Sequence, residues 1–271
     1  MIHRVYEHHK GISTNHTHPF LLRHIADATA SAYNWHKNIE LLLITDGEGA
    51  VQYGQAVYPL QTGELVVFNS DAMHYIYSQT SISYYYIILD RVFCSDNGID
   101  VEKIRFLEKP TDPAVTAAFR ALIDEWESAQ RQPEFLSVAK LRRAALSLLI
   151  ALCSESICSI SEREVRKNAS EELVKAAMLY LNENYTRPIH LDDLAEQLNV
   201  SKPHLARTFK KYTGETLITY VNTLRCRQAA VGIASGMSVT QAALESGFET
   251  LSYFSRTYKK LFGVPPSQNL P

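Results

Sequence analysis

The chain has 271 residues, of which 46% are hydrophobic and 21% are charged, and its formal net charge is -2 at pH 7. This composition excludes a disordered or fibrous chain and is compatible with one or two domains. The longest apolar run, residues 144–153, is half as long as a membrane span, and the first residues lack the apolar core of a secretion signal. Four cysteines without a C-x-x-C pair exclude a disulfide scaffold, so we expect a cytoplasmic protein with reduced thiols.

The first 110 residues predict short β-strands. Runs of aromatic and β-branched residues, such as 41–45, 65–68 and 83–89, alternate with turn signals, for example Asp46-Gly47-Glu48-Gly49. Closely spaced strands of this kind are typical of an all-β sandwich or barrel.

The apolar spacing changes to a helical period after Pro110. Pro113 can open a helix that includes residues 115–126, and apolar residues three and four apart from Leu136 to Leu152 predict a second amphipathic helix. Their apolar stripes need a partner, which is either the β-domain or a second copy of the chain in a homodimer.

Residues 154–170 lose this period and are rich in Ser and Glu, which predicts a linker. Beyond it the chain is almost entirely helical and carries a net charge of +2, whereas the rest carries -4. The predicted organisation is therefore an N-terminal domain over residues 1–153, a linker over 154–170 and a C-terminal domain over 171–271.

The C-terminal domain contains an internal repeat. Residues 191–214 align with residues 239–263, at an offset of 48 before a short turn and 49 after it. The second helix of each copy carries an apolar pair four residues apart and basic residues on its other faces. This pattern predicts two helix-turn-helix motifs, at 191–212 and 239–262, joined by a long helix over 216–235. The alternative, a helical bundle with solvated basic faces, does not account for two copies in matching register.

These residues resemble the DNA-binding domain of AraC/XylS-type transcription regulators. The resemblance rests on residues 191–195 and 201–214 in the first copy, and on residues 239–243, 247–248, 252–260 and 263–267 in the second. It ends at Asn269-Leu270, where the family usually has an aromatic and a basic residue. The resemblance implies double-stranded promoter or operator DNA as a partner, and RNA polymerase as a further candidate partner.

The resemblance also implies which residues contact DNA. Base contacts are expected from one face of each second helix, formed by Lys202, Pro203, Ala206 and Arg207 in the first copy and by Thr250, Leu251, Ser252, Ser255 and Arg256 in the second. An arginine can bind O6 and N7 of a guanine, which is worth ~1–3 kcal/mol of discrimination. Phosphate contacts, which add affinity without sequence information, are expected from Lys210, Lys211, Lys259 and Lys260.

The N-terminal segment resembles the cupin-like β-barrel that the same family commonly places first, through residues 35–41, Gly47-Glu48-Gly49, residues 58–68 and His74. Cupin enzymes bind a metal through two close His, a Glu and a later His. Here His36, Glu40 and His74 fit three of those positions, and Asn34 stands where the other His would be. Three N and O ligands can hold zinc, iron or manganese. Because this class of regulator generally lacks a metal, we expect no metal and no cofactor.

We expect instead that these groups bind a small-molecule effector. The candidate effector-binding residues are Trp35, His36, Glu40, Tyr53, His74 and Tyr75. Aromatic rings beside polar groups suit a sugar or a related polar metabolite, which needs both stacking and hydrogen bonds. The alternative is that the aromatic residues are plain barrel core.

The sequence thus predicts an α+β protein: a cupin-like β-barrel with two following helices, then an all-α domain with two helix-turn-helix motifs. The predicted function is a ligand-responsive, DNA-binding transcription regulator, homodimeric and without membrane contact. The alternatives are a cupin metalloenzyme fused to a DNA-binding module and a chromatin-like binder without sensing. No nucleophile–His–acid arrangement and no Gly-rich phosphate loop is recognisable, so we predict no catalytic residues and no enzyme activity.

Overall fold

The computed structural model describes residues 18–31, 33–54, 56–160 and 169–268. The chain forms two compact units, with the boundary between residues 167 and 168. The start of the predicted sensor domain, residues 161–168 of the predicted linker and the tail at Asn269-Leu270 lie outside the described residues.

The N-terminal unit is built on an antiparallel sheet. Its strands are β1 (Phe20–Ala30), β2 (Ile39–Tyr53), β3 (Ala56–Gln61), β4 (Leu65–Phe68) and β5 (His74–Leu89). They pair in the order β1-β5-β2-β3, and β4 also pairs with β2. One edge of the long strand β2 therefore pairs with β5, while its other edge pairs first with β4 and then with β3.

Side chains alternate between two faces of this sheet, because successive residues of a strand point to opposite sides. On β2, Ile39, Leu41 and Leu43 belong to the core cluster that includes the following helices. Leu42 and Ile44 belong to a second cluster on the other face. The second face carries the candidate effector site described below.

The segments after the sheet are α1 (Arg91–Asp96), β6 (Ile104–Phe106), α2 (Pro113–Arg131), α3 (Ser137–Glu155) and β7 (Ile157–Ile160). Pro113 begins α2 as expected, and the Asp112 side chain caps it by accepting a hydrogen bond from the Ala114 backbone N–H at 2.7 Å. Both long helices bury their apolar stripes in the cluster formed with the sheet, for example through Phe119 and Leu148. The sheet is thus the partner of these stripes, one of the two expected alternatives.

The prediction that the linker begins at residue 154 is wrong for its first residues. Helix α3 extends to Glu155, and β7 pairs antiparallel with β6, with Ile104 opposite Ile160 and Phe106 opposite Ile157. A strand of four residues is too short to produce a recognisable period in the sequence, and its pairing partner lies about fifty residues earlier.

The C-terminal unit is helical. Its helices are α4 (Ala169–Asn184), α5 (Leu191–Gln197), α6 (Lys202–Thr213), α7 (Leu217–Ala234), α8 (Val239–Glu245) and α9 (Leu251–Phe262), followed by a 3-10 turn (Pro266–Gln268). Helices α5 and α6 form the first predicted helix-turn-helix motif, and α8 and α9 form the second. The predicted α+β fold class is confirmed. In the part of the chain that the structure describes, every helix is too short or too polar to cross a membrane.

Candidate nucleic-acid interface and effector site

The second helices of the two copies, α6 and α9, have equivalent caps at both ends. The Ser201 hydroxyl accepts from the His204 backbone N–H and begins α6, and 49 residues later the Thr250 hydroxyl accepts from the Tyr253 N–H and begins α9. Gly214 and Gly263, again 49 residues apart, end the same helices in the left-handed conformation, at φ 74° and 77°. The match between the copies therefore includes backbone geometry as well as residue type.

The turns between the paired helices differ by one residue. Asn199 and Gly247 both have positive φ, 54° and 93°, and Val200 and Phe248 follow them. Ser201 then caps α6 directly, whereas Glu249 stands between Phe248 and the cap of α9. The offset changes from 48 to 49 at this residue, inside an exposed turn where an insertion costs little.

One face of each second helix is core and the other is exposed. Leu205 and Phe209 in α6 and Phe254 and Tyr258 in α9 are buried, as predicted. The predicted DNA-contacting residues other than Ser255 are all exposed, and Ser255 is half-buried: Lys202, Pro203, Ala206, Arg207, Lys210, Lys211, Thr250, Leu251, Ser252, Arg256, Lys259 and Lys260. Arg207 and Arg256 occupy the same position in their helices, 49 residues apart.

Three of the predicted contact residues have local partners within the protein. Lys202 pairs with Asp192 of α5, with 2.8 Å between Nζ and Oδ2. Arg207 Nε donates to the Pro203 carbonyl oxygen at 3.3 Å. The Thr250 hydroxyl accepts the Tyr253 N–H as the N-cap of α9 while the residue remains exposed, and Ser252 is the first polar side chain exposed within the helix.

The long helix α7 connects the two motifs. Arg225 on α7 donates to the carbonyl oxygens of Tyr185 and Arg187, which precede the first motif, and its guanidinium lies 5.9 Å from the Phe248 ring in the second turn. Asn222 Nδ2 donates to the Tyr253 hydroxyl of α9 at 2.7 Å. These side chains hold the segment before the first motif and parts of the second motif against one helix.

In the N-terminal unit, three of the predicted effector residues lie together on the second face of the sheet. The Glu40 carboxylate Oε2 is 2.9 Å from His36 Nε2 and 3.3 Å from His74 Nε2, and all three side chains are buried. His36 Nδ1 donates to the Asn38 carbonyl oxygen and His74 Nδ1 donates to that of Ala72. Burial alone would raise the pKa of Glu40, but the charge and hydrogen bonds of His74 and His36, in the state where both rings are protonated, outweigh this effect and lower it to about 2.

Aromatic rings extend from this cluster. The Phe68 ring stacks on His74 with 3.9 Å between centroids, and Tyr53 lies 5.9 Å from Phe68. The Tyr53 hydroxyl accepts hydrogen bonds from the backbone and side-chain N–H groups of Asn69, both at 3.1 Å. Burial raises the pKa of this hydroxyl. Tyr53 therefore contacts the cluster through Phe68.

Tyr75 does not join His74. Adjacent residues of a strand point to opposite faces, and Tyr75 stacks on Tyr33 and Tyr77, with centroids 4.7 and 5.5 Å away. We therefore remove Tyr75 from the candidate effector residues. Trp35 is buried, at 2% exposure.

The sequence interpretation left Phe68, Tyr84 and Asn34 out of the candidate site. Tyr84 is buried in the cluster on the second face, and its hydroxyl has a raised pKa, chiefly from burial and further from the charge of Glu40. Asn34 stands directly opposite His74 in an antiparallel bridge. Alternation along each strand was the signal that could have identified these residues.

Comparison with known proteins agrees with both units. Residues 18–145 match the family described as the AraC-like ligand binding domain, and residues 194–270 match a helix-turn-helix domain. An uncharacterized HTH-type transcriptional regulator in the cgkA 5' region of Pseudoalteromonas carrageenovora is 30% identical over 43% of this chain and 73% of its own. The chain belongs to the AraC family of transcription regulators.

Two further relatives cover most of this AraC-family chain. The uncharacterized HTH-type transcriptional regulator YfiF of Bacillus subtilis is 24% identical over 96% of this chain and 82% of its own. The HTH-type transcriptional activator RhaR of Mannheimia succiniciproducens is 21% identical over 86% of this chain and 84% of its own. The likeness thus extends through both the ligand-binding and the helix-turn-helix parts.

Proposed function

We propose that this AraC-family regulator reads a specific duplex sequence with the exposed faces of α6 and α9 and responds to a small polar effector bound beside Glu40. The observation that carries the proposal is the pair Arg207 and Arg256, exposed at the same position of two identically capped helices. Two recognition helices joined by a rigid helix can enter successive major grooves.

The two kinds of basic residue have different expected effects, which provides the test. An operator selected from random duplexes by the full chain is compared with a scrambled duplex of equal length. Arg207→Ala is expected to weaken binding to the operator by about 5- to 150-fold and to change binding to scrambled DNA little. Lys210→Ala is expected to weaken both equally and to lower the slope of affinity against salt by about one. Equal losses on both duplexes for both variants would contradict the assignment.

For the effector, we propose a sugar or a related polar metabolite. Support comes from buried charged groups beside stacked aromatic rings, a combination that binds hydroxyl groups and the apolar faces of a sugar ring. The measurement is the melting temperature of the full chain against neutral sugars, sugar acids and sugar phosphates. A compound that binds must also change operator affinity, because an effector acts only by binding two states unequally. A panel without any shift rejects a sugar effector and leaves the DNA assignment standing.

We also propose a homodimer in the cytoplasm, with RNA polymerase as a further partner and no enzymatic activity. The apolar side chains of Val138 and Ile150 on α3 are exposed by 40% and 54%, although the helix packs on the sheet with its other face. The relatives named above are called transcriptional regulators, which favours a regulator over a metalloenzyme. Light scattering tests the dimer: Ile150→Lys is expected to yield monomers, and a monomeric parent protein at micromolar concentration would reject it.

A further inference from the structure

Three metal-ligating side chains converge in the N-terminal unit. One ligating atom from each of His36, Glu40 and His74 lies within 4.8 Å of the other two, and all three residues are buried. Imidazole nitrogen and carboxylate oxygen are ligands for divalent ions such as zinc, manganese and iron(II).

The hydrogen bonds of the two rings determine which nitrogen is available. A carbonyl oxygen only accepts, so Nδ1 of His36 and Nδ1 of His74 each carry the proton that they donate to a backbone carbonyl. In a neutral imidazole, Nε2 then has a lone pair, and both Nε2 atoms face the carboxylate oxygen of Glu40. These three acceptor atoms, two nitrogens and one carboxylate oxygen, repel one another at these distances unless a cation or two extra protons lie among them. Histidine ligands of metals typically donate their second ring N–H in this way.

A fourth candidate ligand atom, the side-chain oxygen of Asn34, belongs to the same face. Asn34 stands directly opposite His74 in an antiparallel bridge, a position that places both side chains on one side of the sheet. Its Oδ1 is buried and has no hydrogen-bond partner among the described residues. Extra protons on the two histidines would leave this oxygen unsatisfied, whereas a cation can be bound by it.

The two nitrogen–oxygen distances suit a small divalent ion. A metal–ligand distance of about 2.1 Å separates neighbouring ligand atoms by about 3.0 Å in octahedral and about 3.4 Å in tetrahedral geometry. The nitrogen–oxygen distances here are 2.9 and 3.3 Å. Larger ions such as calcium bind to oxygen ligands at longer distances, so two imidazoles favour a transition metal.

We propose that Asn34, His36, Glu40 and His74 bind one divalent transition-metal ion. This replaces our expectation from the sequence that the chain binds no metal. The ion is part of the effector site, either as the effector itself or as the group that binds the effector. This regulatory role rests on the proposed function, whereas the binding of the ion does not.

Metal uptake by the full chain tests the proposal without DNA, so its failure is distinguishable from failure of DNA recognition. The protein, purified without a histidine tag and stripped with a chelator, is titrated with Zn²⁺ by calorimetry and with Co²⁺ by visible absorption. We expect one tight site per chain. In the Co²⁺ form we also expect two hyperfine-shifted N–H protons in the NMR spectrum that exchange slowly, because each Nδ1–H is bonded to a carbonyl.

Four variants locate the site. Glu40→Gln keeps the side-chain shape and is expected to weaken Zn²⁺ binding by about 100-fold or more, and Asn34→Ala by about tenfold. Asn34→His adds an imidazole and is expected to tighten binding, which a merely structural Asn34 would not do. His24→Gln, at an exposed position on β1, is the matched control and is expected to change nothing. Circular dichroism confirms that each variant is folded.

Two outcomes overturn the proposal. Parent protein that takes up neither Zn²⁺ nor Co²⁺ shows that the cluster holds protons only. Uptake that is unchanged in Glu40→Gln and Asn34→His places the ion elsewhere, for instance at histidines outside the described residues. The NMR signals require no variant, so the proposal can be rejected even where a substitution prevents folding.

Discussion

The Cα atom of Gly247 lies directly against the backbone of Thr186, so that an added Cβ would stand 2.6 Å from the Thr186 carbonyl oxygen. Gly247 also has a φ of 93°, which disfavours any L side chain. The turn of the second motif thus packs against the loop that precedes the first motif. Gly236 has the same φ, but an added Cβ there would meet nothing within 4 Å.

Comparing alanine substitutions at these two glycines distinguishes the cost of a steric clash from the cost of backbone strain. Gly236→Ala is expected to lower the free energy of unfolding by about 1 kcal/mol, from φ alone. Gly247→Ala is expected to cost more than about 3 kcal/mol, because the backbone of Thr186 has to move as well. Urea denaturation of the full chain measures both values. Similar losses for the two variants would show that the contact with Thr186 is unimportant.

Arg225 is expected to control the relative placement of the two reading helices. Arg225→Lys cannot donate to both carbonyl oxygens with the same fork geometry, so we expect the substitution to reduce affinity for the full operator more than affinity for either half-site alone. The control is Arg227→Lys on the same helix. Affinities for full and half operators, measured by fluorescence anisotropy, give the comparison. Equal effects on full and half sites would assign Arg225 to stability alone.

The ion pair between Lys202 and Asp192 limits how far Lys202 can act on DNA. Asp192→Asn removes that partner and is expected to raise DNA affinity about 2- to 10-fold at low salt and to steepen the salt dependence. Asp193→Asn removes the same charge from the neighbouring residue and therefore measures how much affinity is gained simply by removing one negative charge from α5. The prediction requires a larger gain for Asp192→Asn, and identical gains would contradict it.

Glu215 makes stability depend on pH. Burial raises the pKa of its carboxyl to about 7, from an ordinary value of 4.5, and Arg227 offsets this only partly. The folded state holds the proton over this range while the unfolded state releases it, so the free energy of unfolding falls as pH rises from about 4.5 to about 7.

Glu215→Gln is expected to remove this pH dependence and to stabilise the protein above about pH 7 by ~1–2 kcal/mol. This gain is smaller than the full pKa shift would give, because the carboxylate is partly solvated. Denaturation curves at several pH values measure the effect, and Glu196→Gln at an exposed position is the control. If the free energy of unfolding of Glu215→Gln depends on pH as it does in the parent protein, Glu215 is not the group responsible.

Local patterns in the sequence predicted the C-terminal unit well. Cap residues, the apolar pair Leu205 and Phe209 and the basic residues of α6 lie within a few helical turns, so the sequence period alone places them on faces. The second copy repeats the same pattern, which confirms the register.

The N-terminal site depends on contacts between distant residues, and spacing predicts these less well. The proximity of Glu40 and His74 was available only from the resemblance to cupins. Tyr75 was misplaced because its face depends on the register of β5, and β7 was missed because its pairing partner, β6, lies far away in the sequence. Asn34 was noted as a departure from the cupin pattern, but its bridge to His74 is visible only in the folded sheet.

Helices α6 and α9 have equivalent caps but expose different residues between them. At corresponding positions Lys202 faces solvent in one helix and Leu251 in the other, and Pro203 corresponds to Ser252. We therefore expect each chain to recognise a directional, non-palindromic sequence. Inverting that sequence at a promoter would then turn the bound protein's other surfaces toward the opposite side of the start site.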